Sequence, residues 1–333
     1  MPAIYAETLS TLPNKEELFA RIGWQIDHLM AIDTRGKGIV PALYAAAVET
    51  VRAPLAMSAA QRLQSTVAAG DGVGIITGVP SRSFLGRGIT DSVGPVGARY
   101  LARVLEEVLN AVPIIIIDPE LQRYCAKPAA NAGLLVTSVD KALLAKRGKV
   151  NAATLAFWDC PVEDSEARQV AARFMQELQP KALIAVEMPG KADPFFDLAN
   201  QQGVLRIGLC DGGNELGMGN LRQTLAQISP IGSTIAATGE SDVPVVGASS
   251  NWAAYAIGVC IEALRGSTTV NRGIDLAGSI RRCAEEGAID GYSSRPEAKV
   301  DGTPISMNLA LVEMMTWVVD VALQEAGKDW LKK

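Results

Sequence analysis

The sequence predicts an α/β protein, with a layered, mostly parallel sheet, helices on both of its faces and a helical N-terminal layer. Residues 15–65 have mostly helical apolar spacing, whereas after Gly70 short apolar runs alternate with longer amphipathic stretches. The short runs lack the polar alternation of a strand that has one solvated face. Buried strands separated by helices are typical of a parallel sheet that is covered on both faces.

The N-terminal region predicts three helices. Residues 16–32 have helix-like spacing, residues 39–51 are rich in alanine, and a further helix begins at Ser58. We therefore divide the chain into a helical N-terminal layer, residues 1–66, and an α/β catalytic domain, residues 67–333. The sequence contains no linker and no internal repeat, so the α/β part is one body or two tightly joined lobes.

Seven apolar runs are the predicted strands, at residues 73–77, 112–117, 133–137, 153–157, 182–186, 204–209 and 234–237. The predicted helices of this part cover residues 96–110, 118–126, 165–178, 221–228 and 251–265. In such sheets ligands bind beyond the carboxyl ends of the strands. The first candidates for a site are therefore the residues that follow the runs: Thr77, Gly78, Asp118, Thr137, Ser138, Asp159, Glu187, Asp211, Thr238, Gly239 and Glu240.

Composition argues against several classes of protein. The net charge is −5 and aromatic residues make up 5%, so neither the basic surface nor the base-stacking surface of a nucleic-acid binder is expected. The five cysteines are scattered without a C-x-x-C pair, which argues against zinc and disulfides and predicts a reducing cytoplasm. No signal peptide is evident, and the apolar runs look too short and too interrupted to span a membrane. A homodimer is left open.

The single histidine, His28, limits the chemistry that the chain can perform. No nucleophile-elbow motif accompanies it, so we interpret it as structural and expect carboxylates, amides, Lys and Arg to do the chemistry. The missing P-loop predicts that no nucleotide is bound, and neither haem nor zinc is expected. We also expect that no cysteine is catalytic.

The most informative segment is the loop at residues 210–219, Cys-Asp-Gly-Gly-Asn-Glu-Leu-Gly-Met-Gly, which follows a predicted strand and precedes a predicted helix. Asp211, Asn214 and Glu215 supply hard oxygen ligands within one loop, which suits Mg²⁺ or Mn²⁺. The glycines let the backbone approach a ligand and leave N–H groups for an anion. The alternative is a glycine-rich turn with solvated acids, but the length of the run favours function.

A second candidate, Glu187, ends a buried apolar strand, where an unpaired charge is costly. It is suited to be a metal ligand or a general base, with Lys191 close to an anionic substrate. The alternative is a glutamate that pairs with an arginine at the end of the sheet. The residues alone leave these two interpretations even.

The segment after the first predicted strand offers an anion site. Asp91 and Ser92 precede a helix whose first turn contains Pro95, and its N-terminus could hold an anion with added charge from Arg87. The alternative, which the residues alone favour, is ordinary N-capping. Asn251 could likewise orient a substrate or cap a helix, and the Asp-Gly pairs at 290–291 and 301–302 are turn signals.

In their order along the chain, these motifs resemble the D-glutamate cyclase family. The carrying strings are Thr-Gly at 77–78, Thr-Asp-x-x-Gly-Pro-x-Gly-Ala at 90–98, Glu-x-x-Gly-Lys-Ala at 187–192, Asp-Gly-Gly-Asn-Glu-Leu-Gly-Met-Gly at 211–219, Ser-Asn-Trp-x-x-Tyr-Ala at 250–256 and the late Asp-Gly pairs. The string at 211–219 is specific, and the others persuade by their order. The resemblance covers the chain from about residue 37 onward.

The resemblance implies a hydro-lyase that converts D-glutamate to 5-oxo-D-proline and water, with Mg²⁺ or Mn²⁺ as Lewis acid and a carboxylate base. Residue by residue, it points to Asp91, Glu187, Asp211, Asn214, Glu215 and Asn251. We predict as catalytic residues Glu187, Asp211 and Asp91, and as metal ligands Glu187, Asp211, Asn214 and Glu215. The predicted substrate-binding residues are Gly78, Arg87, Ser92, Gly94, Lys191, Gly212, Gly213 and Asn251.

Three departures from the family pattern fall on the substrate side. The Glu-Thr-Asp-Gly-Pro motif of the family is altered, with Ile89 in place of Glu and Ser92 and Val93 before the Gly-Pro pair. Met188 replaces an Arg, and the segment at 193–198 is shortened. Two other functions therefore stay open. Clustered acids at strand ends also serve a metal-dependent phosphoesterase, and a non-catalytic protein could bind an amino acid or a related anion without turnover. In each case the expected partner is a small acidic molecule.

Overall fold

The computed structural model describes residues 14–148, 150, 152–160, 164–190 and 193–326, except the side chains of 164, 165 and 193. Its main strands are β1 (Gly72–Ile76), β2 (Val112–Ile117), β3 (Leu135–Val136), β4 (Thr154–Asp159), β5 (Ala182–Val186), β6 (Leu205–Cys210) and β7 (Val243–Val246). They form one sheet in the order β3-β4-β2-β1-β5-β6-β7, and every pair is parallel. The predicted α/β class with a parallel sheet is confirmed.

The helices before β5 are α1 (Lys15–Met30), α2 (Ile39–Val51), α3 (Leu55–Thr66), α4 (Pro95–Leu109), α5 (Arg123–Ala126), α6 (Val139–Arg147) and α7 (Asp164–Leu178). After β5 come α8 (Asp193–Gln202), α9 (Arg222–Ile228), α10 (Gly232–Ile235), α11 (Ser250–Ala263), α12 (Thr269–Gly273), α13 (Leu276–Glu285) and α14 (Ile305–Ala326). A short hairpin, β8 (Lys299–Val300) with β9 (Thr303–Pro304), precedes α14. The sequence prediction omitted α6, α8, α12, α13 and α14.

The sheet is buried on both faces. Successive side chains of a strand point to opposite faces of the sheet, and each face packs against its own apolar cluster. On β2, Ile115 belongs to the apolar cluster that includes α1, α3, α4 and α11, whereas Ile114 and Ile116 belong to the cluster of α6, α7 and α8. The strands are rich in isoleucine and valine, which pack well on a pleated surface. The prediction of helices on both faces is therefore confirmed.

The predicted strand at residues 234–237 is wrong. Residues 232–235 form the one-turn helix α10, and the last strand is β7, which was not predicted. An apolar run of four residues does not separate a helical turn from a buried strand, and β7 is itself only four residues long. Thr238, Gly239 and Glu240 consequently precede β7 instead of following a strand.

Two further predicted elements are shorter than expected. The run at 133–137 contributes only β3, an exposed edge strand. The predicted helix at 118–126 begins as a turn, in which the Asp118 carboxylate accepts a hydrogen bond of 2.8 Å from the Glu120 N–H, so that α5 starts only at Arg123. A 3₁₀-helix at Lys127–Ala132 follows.

The N-terminal helices pack on the same core as the sheet. Helix α3 lies against α11 and β7, α2 lies against β7, and α1 lies against α14. These contacts explain how the helical layer is attached. The division at residue 66 and the question of one or two lobes stay predictions.

Helix α14 is the one described helix that is long and apolar enough to cross a membrane, with a mean hydropathy of 1.4. The expectation that every apolar run is too short is therefore wrong for this segment. Its inner face carries the buried Asn308 and Thr316, and the helix packs against α1, α11 and α13. These contacts are typical of a helix at the edge of a protein core.

The order of the strands reverses between β1 and β5. On one side of the central β1 lie β2, then β4, then the edge strand β3, and on the other side lie β5, β6 and β7. A crevice forms at such a switch point beyond the carboxyl ends of the strands. Glu187 directly follows β5, beside the end of β1.

Candidate metal and substrate site

Neighbouring strands bring the predicted acids into one crevice. Glu187 follows β5 and Asp211 follows β6, and these strands pair in parallel up to Val186 and Leu209. Glu215 comes from the loop after β6. One carboxylate oxygen of each of Glu187, Asp211 and Glu215 lies within 4.8 Å of the others. The three oxygens are close enough to share one small cation.

The loop after β6 folds tightly enough to aim Glu215 back at the sheet. Glu215 Oε1 accepts hydrogen bonds from the Gly212 N–H at 2.9 Å and from the Asp211 N–H at 3.3 Å. Its other oxygen, Oε2, is buried and has no hydrogen-bond partner among the described residues. A side chain at Gly212 would lie 2.7 Å from Asn214 Oδ1 and 3.3 Å from Glu215 Oε1, so glycine lets these two side chains lie close to the turn.

Glu187 has a strained backbone conformation, and its carboxylate accepts one short hydrogen bond. Its φ of +51° lies in the left-handed region, which non-glycine residues rarely adopt and which is often retained at functional sites. The Ser250 hydroxyl, at the start of α11, donates to Glu187 Oε2 at 2.5 Å. A side chain at Gly94 would come within 3.2 Å of Glu187 Cβ. Gly94 therefore gives Glu187 the room it needs.

The charges of the cluster oppose one another. Burial raises the pKa of Glu187 well above its usual range, and the nearby Glu215 and Asp301 raise it further. The pKa of Asp211 is likewise raised, first by burial and then by Glu187, while Arg35 lowers it. Burial also raises the pKa of Glu215, against the effect of the backbone N–H groups that it accepts. A bound divalent cation would relieve this repulsion.

A second group of acids adjoins the first. Burial raises the pKa values of both Asp91 and Asp301. Asp91 Oδ1 and Asp301 Oδ2 are buried without hydrogen-bond partners among the described residues. A side chain at Gly291 would lie 3.3 Å from Asp91 Oδ2 and 3.5 Å from Asp301 Oδ1, so the two carboxylates flank this glycine. Asp290, in contrast, accepts from the Ser293 and Gly302 N–H groups and shapes the turn.

The start of α4 is capped by a residue from another helix. Asn251 Oδ1, on α11, accepts from the Gly94 N–H at 2.9 Å and the Gly97 N–H at 3.0 Å. The predicted anion at this helix end would have to displace that cap. The Asn251 amide nitrogen is buried without a partner in the described part of the chain. Ser92 donates its hydroxyl to the Lys299 carbonyl at 2.7 Å.

The remaining predicted residues differ in their surroundings. Gly78 has a φ of +82°, and a side chain there would meet Ile117 at 2.6 Å. Gly213, with a φ of +83°, packs against Leu43 and Leu225. Arg87 is exposed on the loop before α4, and Asn214 is partly buried in the loop that follows β6. Lys191 lies outside the described residues.

Sequence reasoning missed three residues of this crevice. Ser250 stands in the string at 250–256, but it was given no role because nothing in the sequence shows that its hydroxyl reaches Glu187. Asp301 was interpreted only as a turn residue, although its φ of +51° and its raised pKa resemble those of Glu187. Arg35 comes from the loop between α1 and α2 and lies 4.0 Å from Asp211 Oδ2. No local motif marks Arg35, because folding alone brings it to the crevice.

Comparison with known proteins gives two matches. Residues 26–194 and 191–316 match the family model described as D-glutamate cyclase-like, C-terminal. The chain is also 28% identical over 256 residues to the mitochondrial D-glutamate cyclase of Homo sapiens, in an alignment that covers 70% of this chain. That alignment covers 37% of the human protein, so the chain spans well under half the length of this relative.

Proposed function

The chain belongs to the D-glutamate cyclase-like, C-terminal family, and we propose that it converts D-glutamate to 5-oxo-D-proline and water. The observation that carries the proposal is the convergence of Glu187, Asp211 and Glu215, whose carboxylate oxygens lie within 4.8 Å of one another beyond the strand ends. The predicted family resemblance is confirmed by the match, whereas the reaction comes from the family's name and from the chemistry of the crevice.

The donor set fits a hard divalent cation. Glu187, Asp211 and Glu215 would hold it, with Asn214 in the same loop as a further oxygen ligand, and no thiol or imidazole belongs to this group. The unpartnered Glu215 Oε2 is the observation that supports this fit. When bound, Mg²⁺ or Mn²⁺ would supply a Lewis acid that polarises the substrate's γ-carboxylate.

The reaction requires only proton transfers and water loss. The amine nitrogen bonds to the γ-carboxyl carbon, one carbon–oxygen bond breaks, and two ammonium protons leave with that oxygen as water. Asp91 is the proposed base for the amine, because burial raises its pKa and its Oδ1 has no hydrogen-bond partner in the described structure. Ser250 holds Glu187 in place by its hydrogen bond.

The decisive assay follows 5-oxo-D-proline by chiral chromatography after D-glutamate is incubated with the protein and Mn²⁺ or Mg²⁺. We expect product with either metal, much less in excess EDTA, and much less from L-glutamate. Asp211→Asn should lose the activity, whereas Glu262→Gln, far from the crevice, should keep it.

Two outcomes would replace this function by another. Phosphate release from p-nitrophenyl phosphate, without 5-oxo-D-proline formation, would indicate the phosphoesterase chemistry that clustered acids also serve. Binding of D-glutamate to the metal-loaded protein without any turnover would indicate a non-catalytic binding protein.

A further inference from the structure

Arg35 extends from the loop between α1 and α2 to the acids of the crevice. Its Nη2 lies 3.3 Å from Asp301 Oδ1 and 4.0 Å from Asp211 Oδ2, and it donates to the Asp301 carbonyl at 3.3 Å. The side chain is 29% exposed. A permanent positive charge therefore stands between the carboxylates and the solvent.

The loop that carries Arg35 is fixed by its own hydrogen bonds. The Asp33 carboxylate accepts from the Gly38 N–H at 2.7 Å and from the Lys37 N–H at 3.3 Å. Gly36 and Gly38 have φ values of +61° and +71°, which permit the tight turn. Arg35 is thus presented at a defined position at the crevice.

The contacts of Arg35 within the protein are weak and leave donors unused. In the described residues, its hydrogen bonds and ion pairs all involve Nη2, at 3.3 Å or longer. A guanidinium has five N–H groups in a planar fork that matches a carboxylate. The fork is therefore free to take a stronger partner through Nε and Nη1.

A cavity of about 90 Å³ separates the Arg35 loop from the Asp211 loop. Asp33, Arg35 and Lys37 line it on one side, and Asp211 and Gly212 line it on the other. A ligand in this cavity would contact the guanidinium and the acid loop together.

We propose that Arg35 binds the α-carboxylate of the substrate and thereby selects dicarboxylic amino acids. This inference rests on the proposed function, in which the γ-carboxylate lies at the acid cluster. The second carboxylate of such a substrate would meet repulsion from Asp211 and Asp301 unless a cation faced it. Arg35 is the side chain that the structure pairs with both of these acids.

The test measures binding of two non-reacting probes, glutarate and the monocarboxylate butyrate, to Mn²⁺-saturated protein by calorimetry. Wild-type protein should bind glutarate more tightly than butyrate. Arg35→Ala should weaken glutarate binding by roughly 10- to 100-fold, the effect of losing a charged hydrogen-bonded pair, and leave butyrate binding unchanged. Arg35→Lys should restore part of the loss, and Arg21→Ala, which removes an exposed charge of α1 that does not line the cavity, should change glutarate binding by less than about threefold.

Mn²⁺ affinity separates a substrate role from a structural one. It should be unchanged or tighter in Arg35→Ala, because a competing cation is removed from beside Asp211. Weaker Mn²⁺ binding in Arg35→Ala, equal glutarate binding in Arg35→Ala and wild type, or no glutarate binding to wild type would each overturn the inference. If glutarate binds through Arg35 but D-glutamate is not converted, the proposed function fails and the role of Arg35 stands.

Discussion

A carboxylate lies at each end of helix α11, the partly buried Glu187 at its start and the buried Glu262 near its end, but the two environments differ. At its C-terminal end Glu262 accepts four hydrogen bonds, from the Ser267 hydroxyl, the Val270 N–H, and both the N–H and the side-chain amide of Asn271. At its N-terminal end Ser250 donates to Glu187, one of three acids that face one another.

The hydrogen-bond partners of a carboxylate distinguish an acid that stabilises the fold from one that is available for a ligand. Both oxygens of Glu262 are satisfied by the protein, so the folded chain needs no further partner for them. Glu215 Oε2 has no partner among the described residues, and its neighbours are like charges. Buried oxygens without partners and like charges that face one another reduce the stability of the fold.

The largest expected effect is the loss of Mn²⁺ binding and turnover in Glu187→Gln and in Asp211→Asn. Mn²⁺ affinity and turnover should both fall by at least about 100-fold in each variant. Loss of a residue that only hydrogen-bonds to a metal ligand costs up to about 100-fold, and these residues are the proposed ligands themselves. In EDTA the melting temperature of both variants should equal or exceed that of wild type, because repulsion is relieved. Full turnover in a folded Glu187→Gln protein would remove Glu187 from the site.

The double variant Glu187→Gln/Asp211→Asn tests whether the two acids serve the same ion. If both acids serve the same ion, the double variant should be little worse than either single variant, because residues that act as a unit are not additive. Additive losses of activity, measured by steady-state kinetics, would indicate that the two acids act independently.

The opposite end of α11 should respond in the opposite way. Glu262→Gln should lower the free energy of unfolding by about 1–3 kcal/mol, because the new amide places an N–H group against donors that need an acceptor. Mn²⁺ affinity should be unchanged. Urea denaturation measures the stability of Glu262→Gln, and calorimetry measures its Mn²⁺ affinity. Loss of Mn²⁺ binding at wild-type stability would show that Glu262 does not differ from the acids of the crevice in the way proposed.

A smaller effect is expected from the hydroxyls at the two ends. Ser250→Ala should weaken Mn²⁺ binding by roughly 10-fold, within the range for a residue that orients a metal ligand. Ser267→Ala, which removes the hydroxyl donor to Glu262, is the matched control and should leave Mn²⁺ binding unaltered. Equal losses in the two variants would show that the hydrogen bond to Glu187 has no special role.

The smallest effect concerns Asp27, a buried acid that accepts from the Leu55 and Ala56 N–H groups. Burial raises its pKa from 3.8 to about 7, so its contribution to stability is complete below the unfolded pKa and is lost as the pH rises through the folded one. Between about pH 6 and about pH 8, wild type should lose roughly 1 kcal/mol relative to Asp27→Asn. A pH-independent difference in urea denaturation would contradict this.

The fold was predictable where strands are long and rich in isoleucine, as in β2, and not where a strand has only four residues and no isoleucine, as in β7. The site followed the same division. Glu187 and Asp211 were found because each directly follows such a strand. Ser250 and Arg35 were missed because their approach to Glu187 and Asp211 depends on packing between distant parts of the chain.

We expect the acids at the N-terminal end of α11 to bind a divalent cation, and the acid at its C-terminal end only to stabilise the fold. Calorimetric titration of Mn²⁺ into wild type, Asp211→Asn and Glu262→Gln, each first stripped with EDTA, measures this difference. We predict saturable binding of equal affinity in wild type and Glu262→Gln, and at least about 100-fold weaker binding in Asp211→Asn. Equal Mn²⁺ binding in wild type and Asp211→Asn would contradict this expectation.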